Sequence, residues 1–162
     1  LQLHYQPIVD LKTGRISSFE ALVRWQHPER GMLSPDEFIA IAEATGLIIT
    51  MGNWIVLEAC RTAMQWPADI KVSVNVSPVQ MQAPGAALAF LNALKVSGLP
   101  ASRLALEITE NVFAEGIETE VEATRVRKLG CTHGQGYLFS RGVPASELAA
   151  LLDQPAAKRR LA

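Results

Sequence analysis

Lys71-Val72-Ser73-Val74-Asn75-Val76-Ser77 sends its valines to one face of a strand and Ser73, Asn75 and Ser77 to the other. Arg103-Leu104-Ala105-Leu106-Glu107-Ile108-Thr109 repeats the pattern, with Leu104, Leu106 and Ile108 on one side and Ala105, Glu107 and Thr109 opposite. An open parallel sheet covered by helices on both sides would place apolar residues on both faces. In a barrel the outward face packs on a ring of helices, and inward residues near the strand C-termini are left to line a site. The two stretches therefore predict an α/β chain built as a TIM-like (β/α)8 barrel.

A third stretch, Ile16 to Trp25, places Ser18, Glu20, Leu22 and Arg24 on one face and Phe19, Ala21 and Val23 on the other. A carboxylate and a guanidinium thus share one face of a buried strand. They are either a structural ion pair at a sheet edge or part of a site. Glu20, Asn75 and Glu107 all fall near strand C-termini, and their oxygens suit a hard cation such as Mg²⁺ or Mn²⁺. Two such ions could bridge and activate a phosphate ester. The competing structural account makes Asn75 and Glu107 hydrogen-bonded polar groups inside the barrel. Zn²⁺ is disfavoured, because His4, His27 and His133 are scattered and Cys60 and Cys131 lack metal-ligand spacing. Cys60 lies with Val56, Leu57, Ala63 and Met64 on an apolar helical stripe and is expected in the core.

The remaining elements fit the same alternation. Strands are expected at Leu3 to Asp10 and Gln135 to Phe139, the first joined to Ile16–Trp25 by a Gly14-containing hairpin and therefore antiparallel to it. Later strands, separated by helices, should be parallel. Ser34-Pro35-Asp36-Glu37 opens a helix with a capping serine and a proline at its first position, and Gly46 closes it. Further helices are expected from Thr50 to Trp66, around Ala87 to Leu94 before Gly98, from Ile117 to Leu129 and from Ala145 to Leu152. No linker divides the chain, so residues 1–155 read as one domain and 156–162 as a basic, solvated tail.

Composition narrows the ligand. With 162 residues, 49% of them apolar and 19% charged, the chain has the makings of a folded core. A formal net charge of −1 offers no general attraction to a nucleic acid polymer, so a small anion held by a local cluster fits better. No apolar run reaches the roughly 18 residues that span a bilayer, and the start of the chain lacks signal-peptide features. The expected location is the cytoplasm, with tethering through other domains of a longer protein allowed for.

Taken together, these residues resemble the EAL family, bacterial domains that hydrolyse cyclic di-GMP to the linear dinucleotide. The resemblance runs through Tyr5-Gln6-Pro7-Ile8-Val9, Phe19-Glu20-Ala21-Leu22-Val23-Arg24-Trp25, Ser34-Pro35-Asp36-Glu37-Phe38-Ile39 and Val74-Asn75-Val76-Ser77. It continues through Leu106-Glu107-Ile108-Thr109-Glu110, Ala114-Glu115-Gly116-Ile117-Glu118 and Gln135-Gly136-Tyr137-Leu138-Phe139. It implies an EAL-type barrel whose first strand is antiparallel, a homodimer, and cyclic di-GMP as substrate. By the same resemblance Glu20, Asn75 and Glu107 hold Mg²⁺ or Mn²⁺, and Glu115 and Gln135 belong to the catalytic constellation. Gln6, Leu22 and Arg24 face the substrate, Arg24 through a phosphate, and Glu110 steadies an active-site loop.

The chain also departs from the family. An Asp-Asp-Phe-Gly motif and a Lys-x-Asp motif belong between Glu107 and Glu115, yet these two residues are only eight positions apart and neither motif occurs anywhere. A full barrel of about 250 residues would need some 80 to 90 more, about three βα units. The barrel is thus incomplete as written, with its joint near residues 113 and 114. Either a segment that the protein possesses lies outside the written chain, or a true internal deletion leaves an inactive cyclic di-GMP receptor or interaction domain. The first is the expectation here, because five strands alone expose sheet edges. Arg141-Gly142-Val143-Pro144, where the family places proline directly after arginine, alters a loop.

Overall fold

A computed structural model of the chain describes residues 1–108, 115–128 and 131–153. Strands β1 (Gln2–Asp10) and β2 (Ile16–His27) form the expected antiparallel hairpin, with Gln6 opposite Glu20 and Gln2 opposite Arg24. Asp10 shapes its turn, its Oδ1 accepting from the backbone N–H groups of Lys12 and Thr13. The short strand β3 (Gly31–Leu33), not foreseen, folds back on β2.

The helix expected between Ser34 and Gly46 is divided. Pro35–Glu37 makes one 3₁₀ turn, and α1 (Ile39–Thr45) follows. The carboxylate of Glu37 accepts from the Ser34 backbone N–H and also pairs with Arg30 at 2.6 Å, so the capping signal is present although the helix is short. Gly46 adopts a left-handed φ of +75° and lets α2 (Leu47–Ala63) start at once, earlier than Thr50.

Strands β4 (Lys71–Asn75) and β5 (Leu104–Glu107) extend the sheet in parallel, joined by α3 (Pro78–Gln82) and α4 (Ala86–Ser97). Beyond residues 109–114, α5 (Glu120–Lys128) precedes β6 (His133–Gly134), and β7 (Val143–Pro144) and α6 (Leu148–Asp153) follow. The strand expected at Gln135–Phe139 is therefore displaced. Its ladder pairing ends at Gly134, and the backbone turns at Gly136, whose φ is +156°. β6 runs antiparallel to β1, hence in the same direction as β2, β4 and β5.

The sheet order β5-β4-β2-β1-β6 describes a curled half-barrel. Its outer face carries the core: Phe19, Val72, Val74, Val56, Ala59, Ala63 and Cys60 are almost wholly buried, and Trp66 packs against Tyr5 and Phe19 at ring distances of 5.4 and 4.9 Å. Cys60 is thus a core residue, as its stripe implied. Arg103 is buried and donates to the carbonyls of Ile70, Ala63 and Pro67, tying the end of α2 to the entries of β4 and β5. That clamp sets the height at which Asn75 and Glu107 emerge.

Candidate active site

Strand register sets the polar positions in two adjacent rows. Asn75 lies opposite Glu107, Glu20 opposite Ser73 on one side and opposite Gln6 on the other. Glu20, only 9% exposed, has both carboxylate oxygens engaged: Asn75 Nδ2 donates to Oε1 at 2.6 Å and Gln135 Nε2 donates to Oε2 at 2.8 Å. The second bond reaches over β1, which lies between β2 and β6, so only a curled sheet permits it. The ion pair between Glu20 and Arg24 considered from sequence is not formed. Arg24 is half-buried, donates to its own neighbour's carbonyl at Val23, and pairs with no carboxylate among the described residues.

Gln135 is held from both sides. The Ile117 N–H donates to its carbonyl at 3.2 Å, and the Leu138 N–H donates to the Ile117 carbonyl at 2.9 Å. A Cβ at Gly136 would lie 2.2 Å from the Ile117 carbonyl oxygen, so the close passage of these two chains requires glycine there. Gln6 Nε2 donates to the Ser140 carbonyl at 3.4 Å. A Cβ at Gly142 would sit 3.5 Å from Leu22 Cδ1 and 3.8 Å from Gln6 Cβ, so this turn lies over the rim of β1 and β2.

Beside Asn75 and Glu107 opens a cavity of about 290 Å³ with Leu22, Pro35, Ile39 and Ile48 among its apolar walls and Ser77 and Glu43 among its polar ones. Ser77 Oγ donates to Glu43 at 2.5 Å and also accepts from the Val79 N–H, capping α3. Sequence reasoning missed this pair, because a five-residue helix has no readable period and Ser77 was placed in the strand.

The predicted site residues are gathered unequally. Glu20, Asn75 and Gln135 are joined by hydrogen bonds, Glu107 is next to Asn75 in register, and Gln6 is next to Glu20. Leu22 lines the cavity. Glu115 is exposed, two residues before Ile117. Glu110 and the joint at 113 and 114 lie outside the described residues.

The donor set is one of hard oxygens. Asn75 and Gln135 spend their NH₂ ends on Glu20, and Gln135 Oε1 is buried with no hydrogen-bond partner. An orphaned buried carbonyl oxygen beside the Glu20 carboxylate matches the demands of a divalent cation. Among the described residues no three His, Cys, Asp or Glu side chains gather as a ligand set.

The EAL domain family matches residues 1–113, well over half the chain, and the chain belongs to that family. It is 49% identical over 131 residues to an uncharacterized protein, y4lL, of Sinorhizobium fredii, covering 80% of this chain and 16% of that protein. It is 37% identical over 161 residues to the bifunctional diguanylate cyclase/cyclic di-GMP phosphodiesterase MucR of Pseudomonas aeruginosa, covering 91% of this chain and 24% of MucR. A solved structure of the PaMucR phosphodiesterase in complex with c-di-GMP superposes with a TM-score of 0.86 at 28% identity, covering 90% of this chain and 93% of that one. The chain thus spans between a sixth and a quarter of these two curated relatives' length. The fold is that of EAL domains, a TIM-like barrel, present here in part. Among the described residues no helix is long and apolar enough to cross a membrane.

Proposed function

We propose that this chain acts on cyclic di-GMP, hydrolysing one phosphodiester to release the linear dinucleotide. The observation that carries the proposal is the Asn75–Glu20–Gln135 clamp at the strand ends, in a chain whose relatives include a cyclic di-GMP phosphodiesterase. Glu20, Asn75 and Glu107 would hold Mg²⁺ or Mn²⁺, with Gln135 Oε1 as the further oxygen supported by its lack of a partner. When bound, the cation polarises a phosphodiester and makes water a better nucleophile.

The chain's own residues supply the rest. Gln135 fixes the orientation of Glu20, and Glu115 stands in the segment that Ile117 anchors to it. Arg24, without an acidic partner among the described residues, is the cation offered to a substrate phosphate, flanked by Gln6 and Leu22. Glu110 is assigned to steadying the neighbouring loop.

A second function is favoured by a specific feature of the sequence, the absence of the Asp-Asp-Phe-Gly and Lys-x-Asp motifs. It is a receptor that binds cyclic di-GMP without turnover. Incubation with cyclic di-GMP and Mn²⁺ or Mg²⁺, followed by product separation and calorimetry, distinguishes the two. Linear dinucleotide supports the hydrolase, saturable binding without product supports the receptor, and the absence of both refutes each.

A further inference from the structure

Residues 135–142 join β6 to β7. Both strands pair antiparallel with β1, so the backbone between them leaves the ladder and returns to it. It first turns at Gly136, whose carbonyl accepts from the Phe139 and Ser140 N–H groups at 3.0 and 3.3 Å. It then lies on His4 and Gln6 of β1, which share a face with their register partners Leu22 and Glu20. Gln6 donates to the Ser140 carbonyl, and His4 Nδ1 donates to the Gly142 carbonyl at 3.3 Å. Gln2 Nε2 donates to the other ring nitrogen of His4 at 3.1 Å, which keeps the proton on Nδ1. Arg141 is thus pinned at the residue before it and the residue after it, on the rim where Gly142 meets Leu22.

The Arg141 guanidinium lies over the Tyr137 ring, 4.8 Å from its centroid, and both residues are exposed. Stacking occupies the face of a guanidinium and leaves its N–H edge free to donate. Among the described residues that edge pairs with no carboxylate. Arg24 stands two residues beyond Leu22 on the same face of β2, about 7 Å along the strand. Two cations without acidic partners among the described residues therefore flank Leu22. The net charge of −1 supplies no general pull on an anion, so such a local pair decides where one settles.

We propose that Arg141, set in place by Tyr137, binds the second phosphate of the cyclic dinucleotide. This role rests on the cyclic di-GMP reading and extends it. A cyclic dinucleotide carries two phosphodiester anions on opposite sides of one ring, and a single arginine can fork only one of them. In the sheet order Glu107 and Asn75 lie on β5 and β4, Arg24 on β2, and the Arg141 turn along β1, beyond β2. The phosphate that Arg141 meets is therefore the one farther from Asn75 and Glu107, the ester left intact. Its contact is the same before and during the reaction, so it strengthens binding without speeding the chemical step.

Calorimetry of cyclic di-GMP into the 162-residue chain with Mn²⁺ present tests the role, with steady-state turnover measured where product forms. Arg141→Ala should raise Kd, or KM where the dinucleotide is cleaved, about tenfold, and the loss should lie in KM and not in kcat. Arg141→Lys keeps the charge without the planar fork and should fall between. Tyr137→Ala should weaken binding in the same direction by a smaller factor. Since both side chains are exposed, the melting temperature without nucleotide should not move in any of the three. In nuclear magnetic resonance the Arg141 Nε–Hε signal, identified by its absence from Arg141→Lys, should shift as cyclic di-GMP is added. Binding that Arg24→Ala weakens and Arg141→Ala leaves within about twofold would overturn the role of Arg141 and leave the cyclic di-GMP reading standing. A loss confined to kcat would overturn it as well, by placing Arg141 at the reacting phosphate. A wild-type chain that binds no cyclic di-GMP would overturn both.

Discussion

Gln135 Nε2 donates to Glu20 Oε2 at 2.8 Å across an intervening strand, joining residues 115 positions apart in sequence. This bond makes the carboxylate's orientation depend on β6 and the turn after it. Replacing Gln135 by alanine leaves a buried carboxylate oxygen without its donor, and a hydrogen bond to a charged group is worth about 1.5–3 kcal/mol. Urea denaturation of Gln135→Ala should show a loss of that order, and calorimetry should show weaker Mn²⁺ binding. Gln135→Glu should lose Mn²⁺-free stability as well, because it sets a second carboxylate against Glu20.

Gly136→Ala should disrupt the same bond indirectly. Its Cβ would meet backbone atoms of Ile117 at 2.2 and 2.3 Å, and backbone cannot rotate away as a side chain can. The cost should reach the upper end of overpacking, about 3 kcal/mol. Thermal unfolding measures the loss, and nuclear magnetic resonance of the Gln135 side-chain amide reports whether the Glu20 contact persists.

The core sets the alkaline limit of stability. Burial pushes the Cys60 thiol from 9.0 up to about 11 and the Tyr5 hydroxyl from 10.0 up to about 12. Both are held neutral in the fold, so their contribution is complete below pH 9 and is lost as pH rises to about 12. Denaturant midpoints should fall across that interval, and Tyr5→Phe should flatten its upper part.

Gly52→Ala probes the floor of the site cavity. The added methyl would lie 2.1 Å from Gln80 Oε1, whose side chain is fully buried and donates to Asn53 at 3.2 Å. Expelling that amide should cost about 1–3 kcal/mol, and Gly52→Ala/Gln80→Ala should recover part of it. Denaturation of the single and double variants measures the coupling.

Strand-face alternation made much of this legible. Val72, Val74 and Phe19 are buried on the face that alternation assigned to the core, and Glu20 and Asn75 meet on the other. The curvature that brings Gln135 to Glu20 was not legible, because it depends on how far the sheet curls and not on any local period. β6 is too short to show alternation, and Gly136 ends it before Tyr137. α3 and β7 were missed for the same reason of length. Arg24 and Glu20 share a face as expected, yet they are bound to different partners, which spacing along one strand does not reveal.

The two functions proposed for the clamp separate at Glu20 and Arg24. A hydrolase should lose turnover with Glu20→Ala, whereas a receptor should depend more on Arg24→Ala.

The most direct test of the cyclic di-GMP assignment is calorimetric titration of that dinucleotide into the wild-type chain with Mn²⁺ present. Saturable binding that weakens at least tenfold in Arg24→Ala, a difference of about 1.4 kcal/mol, is the expected result. No heat and no thermal shift with the wild-type chain would contradict the account.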